Sequence, residues 1–166
     1  MKDPRQRIIA ISGVKNSGKT TLITRLIPLL KERGLRVATI KHDGHDFEPD
    51  VEGTDTYRHR GAGACGVAIF SKNRWMVIKE EKDVDINYLI GHFPEVDLIL
   101  LEGFKYSDFP KIEIVRSEVS TFPLSNPETV IAYVSDLDIF DPQIKQFKLD
   151  EVEELSDYIY DYIRKN

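Results

Sequence analysis

The sequence is poor in cysteine: Cys65 is the only one in 166 residues. A single thiol excludes an intrachain disulfide and fits a reducing compartment. Cys65 lies in a run of small residues, GAGACG, and is expected to be a small buried residue. An excess of positive charge is also missing. Lys and Arg number 23 against 28 Asp and Glu, and the net charge of −5 argues against a broadly basic nucleic-acid footprint. No apolar run approaches the ~20 residues that span a bilayer. The opening residues, MKDPRQR, lack the apolar core of a secretory signal. These absences predict a cytoplasmic protein whose partners include neither nucleic acid nor a membrane. Internal repeats, low-complexity tracts and linkers are absent too, so the length predicts a single domain over residues 1–166. What is present is an ordinary globular composition, 41% hydrophobic and 31% charged, sufficient to bury a core.

The most informative stretch lies near the N-terminus. Ile8 to Ser12 is a short, mostly apolar run that reads as a buried strand. Gly13-Val14-Lys15-Asn16-Ser17-Gly18-Lys19-Thr20 then fits G-x-x-x-x-G-K-[ST], the phosphate-binding P-loop, and Thr21 continues it. A polyphosphate carries several charges and many acceptor oxygens. A loop around it needs inward-pointing N–H groups, which glycines permit by allowing tight turns and close approach. The helix that follows adds unpaired N–H groups and a positive dipole end. Lys19 is expected to reach the β- and γ-phosphates, and the Thr20 hydroxyl to ligate a bridging magnesium ion. These two are the candidate catalytic residues. A strand before the motif and an amphipathic helix after it are the context that the motif requires.

From Thr20 to Arg33, Leu22, Ile23, Leu26, Ile27, Leu29 and Leu30 recur at helical spacing, with Pro28 inside the pattern and Gly34 as a stop. Residues 35–40 read as a second strand. Strand, helix and strand make a βαβ unit, which implies a parallel pair. Residues 41–50, KHDGHDFEPD, form a polar loop at the carboxyl end of that strand, the edge that faces ligand in open α/β sheets. The loop is either a solvated connection or the place where Asp43 approaches magnesium, directly or through water. His42, His45 and Asp46 are also conceivable as a zinc set, although no cysteine assists and the spacing is not a zinc pattern.

Residues 54–64 read as a short helix capped near Thr54, in which Arg58 and Arg60 either reach an anionic ligand or face solvent. Gly66 to Phe70 and Trp75 to Ile78 flank a turn-like SKNR and predict a β-hairpin, with Trp75 as a core anchor. A helix is expected over residues 85–93. Residues 97–103, DLILLEG, deliver Glu102 from a buried strand, as a Walker B segment delivers a carboxylate to magnesium. Residues 104–110, FKYSDFP, read as an exposed loop, either a partner surface or packed back on the body. Residues 111–115 and 129–134 read as further strands. Asp136 follows the last of these at its carboxyl end, where a carboxylate can accept hydrogen bonds from guanine N1–H and its exocyclic amine. No intact N-K-x-D box is present. A terminal helix is expected over residues 150–164, with Val152, Leu155, Ile159 and Ile163 on one face. Together these elements predict an α/β fold of P-loop NTPase type: a mainly parallel sheet flanked by helices, with a β-hairpin extension.

The order GVKNSGKTTL, IKHDGHDFE, TDTYRHRGAGA and DLILLEGFK resembles the molybdopterin-guanine dinucleotide biosynthesis protein B (MobB) family over most of the first 105 residues. The P-loop alone would not identify it. The K-H-D-x-H block followed by the D-x-x-R-x-R-x-A-G-A pattern and the E-G-F-K segment is far more specific. The resemblance implies a dimeric GTP-binding protein with a slow magnesium-dependent GTPase. It implies assistance to the guanylyltransferase (MobA) that joins GMP to molybdopterin, and a possible encounter with molybdopterin itself. Residues 13–21 would bind the triphosphate, and Thr20, Asp43 and Glu102 would surround magnesium. Asp43 or His45 would be the candidates to position a water. Lys15 stands third in the loop rather than second, so it is not assigned as a lysine acting across a dimer. Two rivals remain at this point. One is an ATP-dependent small-molecule kinase or ligase resembling dethiobiotin synthetase, and the other is an adaptor that binds nucleotide without hydrolysing it.

Overall fold

A computed structural model describes residues 7–138 and 141–165. The chain divides into two compact units: one holds the chain up to His42 and from Ile90 onward, and the other runs from Asp43 to Leu89.

The first unit is built on a six-stranded parallel sheet. Its strands are β1 (Ile8–Ser12), β2 (Val37–Lys41), β5 (Leu98–Glu102), β6 (Lys111–Val115), β7 (Val130–Ser135) and β8 (Lys145–Phe147). They lie in the order β2-β5-β1-β6-β7-β8, and every pairing is parallel. The βαβ reading needs one correction: β1 and β2 run parallel but do not pair, because β5 lies between them. Both outer neighbours of β5 thereby face the strand that ends in Glu102. Strands β1 and β6 are buried throughout, as expected where both faces of a parallel sheet are covered.

Helix α1 (Lys19–Glu32) buries Leu22, Ile23, Leu26 and Leu30 against this sheet. Pro28 lies inside α1 without ending it, and Gly34 takes a left-handed φ of 83° just past the end. Helix α4 (Val152–Lys165) buries Val152, Leu155, Ile159 and Ile163, the face that its periodicity predicts. Tyr158 packs on Phe147 and donates its hydroxyl to the carbonyl of Ile131 at 2.8 Å, a packing role.

The second unit holds α2 (Asp55–Gly61), the antiparallel hairpin β3 (Gly66–Phe70) and β4 (Trp75–Lys79), and the start of α3 (Ile86–Ile90). Thr54 caps α2 by accepting the N–H of Tyr57. Helix α3 is shorter than the 85–93 expectation. Two further expectations are overturned here. Trp75 is 62% exposed and Cys65 is exposed, so neither is a core residue. A two-stranded ribbon has no second layer of its own to cover both faces, and Cys65 sits in the turn leading into it. Among the described residues no helix is long and apolar enough to cross a membrane.

Candidate functional site

The P-loop is shaped by backbone conformations that its glycines allow. Gly13 has φ 140°, Gly18 has φ 99°, and Asn16 takes a left-handed φ of 64° between them. A Cβ on Gly13 would lie 2.6 Å from the carbonyl oxygen of Ile114 and 2.7 Å from Ser17 Oγ. No side chain fits there. Ser17 Oγ is buried without a hydrogen-bond partner, the condition of a polar atom waiting for a ligand. Gly18 is the left-handed residue from which α1 starts. The first N–H groups of α1 have no partner within the helix and point toward the loop. Val14, Lys15 and Asn16 form the rim, and Thr21 stands exposed in the first turn.

Lys19 folds back over this cradle. Its ammonium donates to the carbonyls of Val14 at 2.7 Å and Gly13 at 3.2 Å. Burial lowers its pKa, Glu102 raises it, and Lys105 and Lys41 lower it further. A phosphate entering the loop would favour the charged ammonium and so offset these influences.

Thr20 and Glu102, named from separate motifs, come together. The Thr20 hydroxyl donates to Glu102 Oε1 at 2.8 Å. A hydroxyl and a single carboxylate from the ends of α1 and β5 are a donor set suited to magnesium, which keeps most of its ligands as water and phosphate oxygen. The residues present therefore fit both the phosphates and the ion. Lys41 Nζ stands 4.0 Å from the same Glu102 oxygen.

Asp43 belongs to the second unit. It is exposed, and its Oδ1 accepts the N–H of His45 at 3.3 Å. The zinc alternative finds no support. Among the described residues no group of three or more His, Cys, Asp or Glu converges on a metal position, and the His42 ring packs on Phe104 at 5.7 Å instead. Arg60 is given to ion pairs with Glu48 at 2.6 Å and Glu80 at 3.6 Å within its own unit. Arg58 is exposed.

Asp136 directly follows β7, two strands from β1. Its oxygens accept the N–H and hydroxyl of Ser117 at 2.8 and 2.6 Å, which holds its pKa below the usual carboxylate range. Each oxygen keeps a second lone pair. A cavity of about 840 Å³ opens beside it, lined in part by Ser135, Gln146, Phe147 and Lys148.

Two residues that the sequence did not single out shape the neighbourhood. Glu113 on β6 is buried and accepts the N–H groups of Leu124 at 2.6 Å and Ser125 at 3.1 Å. Ser125 in turn bonds Ser12, the residue before Gly13, at 3.0 Å. Residues 117–125 are thus tied at one end to Asp136 and at the other to the root of the P-loop. Lys111, wholly buried, donates to the carbonyls of Ser107 and, at 2.9 Å, Phe109. Burial lowers its pKa. Alternating charged residues in a strand flanked by loops were the only signal of either role.

The model of the family "Molybdopterin guanine dinucleotide synthesis protein B" matches residues 8–136, which hold the P-loop, Glu102 and Asp136. The chain is 34% identical over 165 residues to the molybdopterin-guanine dinucleotide biosynthesis adapter protein of Escherichia coli (strain K12), covering 95% of this chain and 94% of the relative. The protein of the same description from Haemophilus influenzae is 39% identical over 131 residues, 77% of this chain and 73% of that one. The crystal structure of Bacillus subtilis MobB superposes with a TM-score of 0.76 at 29% identity, covering 94% of this chain and 97% of that one. Fold, motif order and sequence agree, and the chain belongs to the MobB family.

Proposed function

We propose that this chain is a GTP-binding adapter in the formation of molybdopterin guanine dinucleotide, acting in the cytoplasm beside the guanylyltransferase (MobA) that completes the dinucleotide. The observation that carries the nucleotide reading is the cradle of Gly13 to Thr21 with Lys19 folded across it and Thr20 bonded to Glu102. The adapter role rests on the family and on the description its relatives carry. Gly13, Val14, Lys15, Asn16, Ser17, Gly18 and Thr21 wrap the phosphates with backbone N–H groups. Lys19 neutralises charge on the β- and γ-phosphates. Thr20 and Glu102 hold magnesium. The ion supplies charge neutralisation at the γ-phosphate. Asp136, fixed by Ser117, accepts from the guanine edge. Hydrolysis is slow on this reading, because Glu102 is given to Thr20 and the ion rather than to a water.

The protein acts as a homodimer through its hairpin. Phe70 is 84% exposed, and Ile69, Trp75 and Val77 are exposed beside it. So much apolar surface on an isolated ribbon calls for a cover.

Calorimetric titration with GTP, ATP and magnesium tests the reading. GTP binds, ATP competes poorly, and Lys19→Ala weakens GTP at least tenfold while the thermal melt stays in place. Unchanged affinity in Lys19→Ala would overturn the P-loop assignment. A pull-down of the guanylyltransferase in GTP- and GDP-loaded states tests the partner.

A further inference from the structure

We infer that Glu113 and Ser125 are positioning residues for the P-loop, acting through Ser12 on Gly13, the residue from which the loop starts. This role deepens the nucleotide reading and rests on it.

The register of the sheet brings the parts together. Ser12 and Glu113 are partners across β1 and β6, and residues in register share a face of the sheet. Ile11 and Ile112, one residue back, lie on the other face, in the main core with residues of α1. What meets the pair on the Ser12 face is the loop of residues 117–125. The buried Glu113 carboxylate accepts the N–H of Leu124 at 2.6 Å on one oxygen and that of Ser125 at 3.1 Å on the other. This fixes the backbone at Ser125, whose hydroxyl bonds that of Ser12 at 3.0 Å, with both residues buried. The flanks are tied as well. Downstream, Asn126 accepts the N–H of Glu128 and caps the short 3-10 turn Pro127–Thr129 that leads into β7. Upstream, Ser117 donates to Asp136 through both its N–H and its hydroxyl.

Gly13 has no slack of its own. A Cβ there would lie 2.6 Å from the carbonyl oxygen of Ile114, so the backbone of β6 runs directly against the first residue of the loop. With Ile114 at Gly13 and Ser125 at Ser12, the chain leaves the sheet in one direction. Hydrogen-bond donors aimed at a ligand work only within narrow limits of distance and angle. A shift at this root is therefore carried into the N–H groups that follow.

The charge of Glu113 works the other way. A carboxylate one strand from a polyphosphate repels it, so removing the charge would favour binding if charge were the whole effect. Glu113→Gln keeps the size of the side chain, removes the charge and replaces one of the two acceptor oxygens by an N–H₂ donor. Positioning and charge thus predict opposite signs for the same substitution.

Calorimetric titration with magnesium and a non-hydrolysable GTP analogue tests the role, at a temperature where melting curves show each variant folded. Ser125→Ala, which removes only the hydroxyl, and Glu113→Gln are each expected to weaken the analogue about three- to tenfold. Should Glu113→Gln not fold, Ser125→Ala carries the test. Adding Ser12→Ala to Ser125→Ala is expected to cost nothing further, because the two hydroxyls make one bond. Coupling is reciprocal, so in the wild type the analogue is expected to slow hydrogen exchange at the amides of Leu124 and Ser125. The role is overturned if the folded variants bind the analogue as the wild type does, or if Glu113→Gln binds it more tightly. It is equally overturned if the losses at Ser12 and Ser125 add, or if the analogue leaves the exchange of those two amides unchanged. Failure of the nucleotide reading looks different: the wild type itself does not bind the analogue, and the role falls with it.

Discussion

The two units of this chain solve the burial problem in opposite ways. In the sheet unit even charged residues are inside: Lys111 and Glu113 are buried, and each is matched to backbone groups of a neighbouring loop. In the hairpin unit even large apolar residues are outside, with Phe70, Trp75 and Val77 exposed. Buried charge persists only where hydrogen bonds compensate it. Exposed aromatic surface on this scale marks a place for association. The contrast teaches a division of labour. The P-loop is carried on a scaffold with a dense core, where a displacement of an ångström would matter. The hairpin supplies surface.

The comparison can be broken in four ways. The largest effect is expected from the core of the sheet. Leu100→Ala, at a fully buried position of β5, is expected to cost about 2–5 kcal/mol. Val77→Ala in the hairpin is expected to cost less than about 1 kcal/mol, as surface substitutions do. Urea denaturation of both gives the difference, and equal costs would erase the distinction. Glu113→Ala should come next. It leaves the buried N–H of Ser125 without its acceptor, at roughly 1–3 kcal/mol, and should release residues 117–125 to proteolysis at native temperature. Trp75→Ala is expected to leave the unfolding of the sheet unit nearly unchanged. If the proposed homodimer forms through the hairpin, this substitution should instead shift the mass measured by analytical ultracentrifugation from dimer toward monomer. An unchanged mass would remove the hairpin from the interface.

The smallest effect concerns acid. Asp136 has its folded pKa lowered, first by the side-chain hydrogen bond from Ser117 and then by the backbone one. Such a group contributes stability that is fully present above its unfolded pKa of about 3.9. That contribution is lost as pH falls through the lower folded value. Asp136→Asn should therefore lower the melting temperature slightly near neutrality and converge with the wild type in acid, so that the acid limb becomes shallower. A steeper limb would reverse the sign of the effect.

How much was legible follows from the range of each signal. Ile8 to Glu32 declared itself because strand, loop and helix are contiguous and each has a local pattern. The buried face of α4 was legible for the same reason. Glu102 was recognisable as the end of an apolar run, but its bond to Thr20 joins residues 82 apart, and only the fold supplies that. The insertion of β5 between β1 and β2 is likewise a long-range pairing that no local period encodes. Trp75 was misread because an aromatic residue in a strand pattern usually meets a second layer, and this ribbon has none of its own. Lys111 and Glu113 alternate with Ile112 and Ile114 in a pattern that ordinarily marks a half-solvated strand. They are buried because irregular loops supply carbonyl and N–H groups to meet them, and such complementarity has no sequence signature.

The position of β1 also sets a timetable. It is the first strand made, yet its partners are β5 and β6, the nearer register pairing Ile8 with Ile99. Some 90 residues must leave the ribosome before β1 can find either neighbour, about 5–20 s at ordinary rates of synthesis. The P-loop is therefore complete in sequence almost at once and complete in structure only late. Through that interval the apolar residues of β1 and α1 are the part of the nascent chain most in need of shelter.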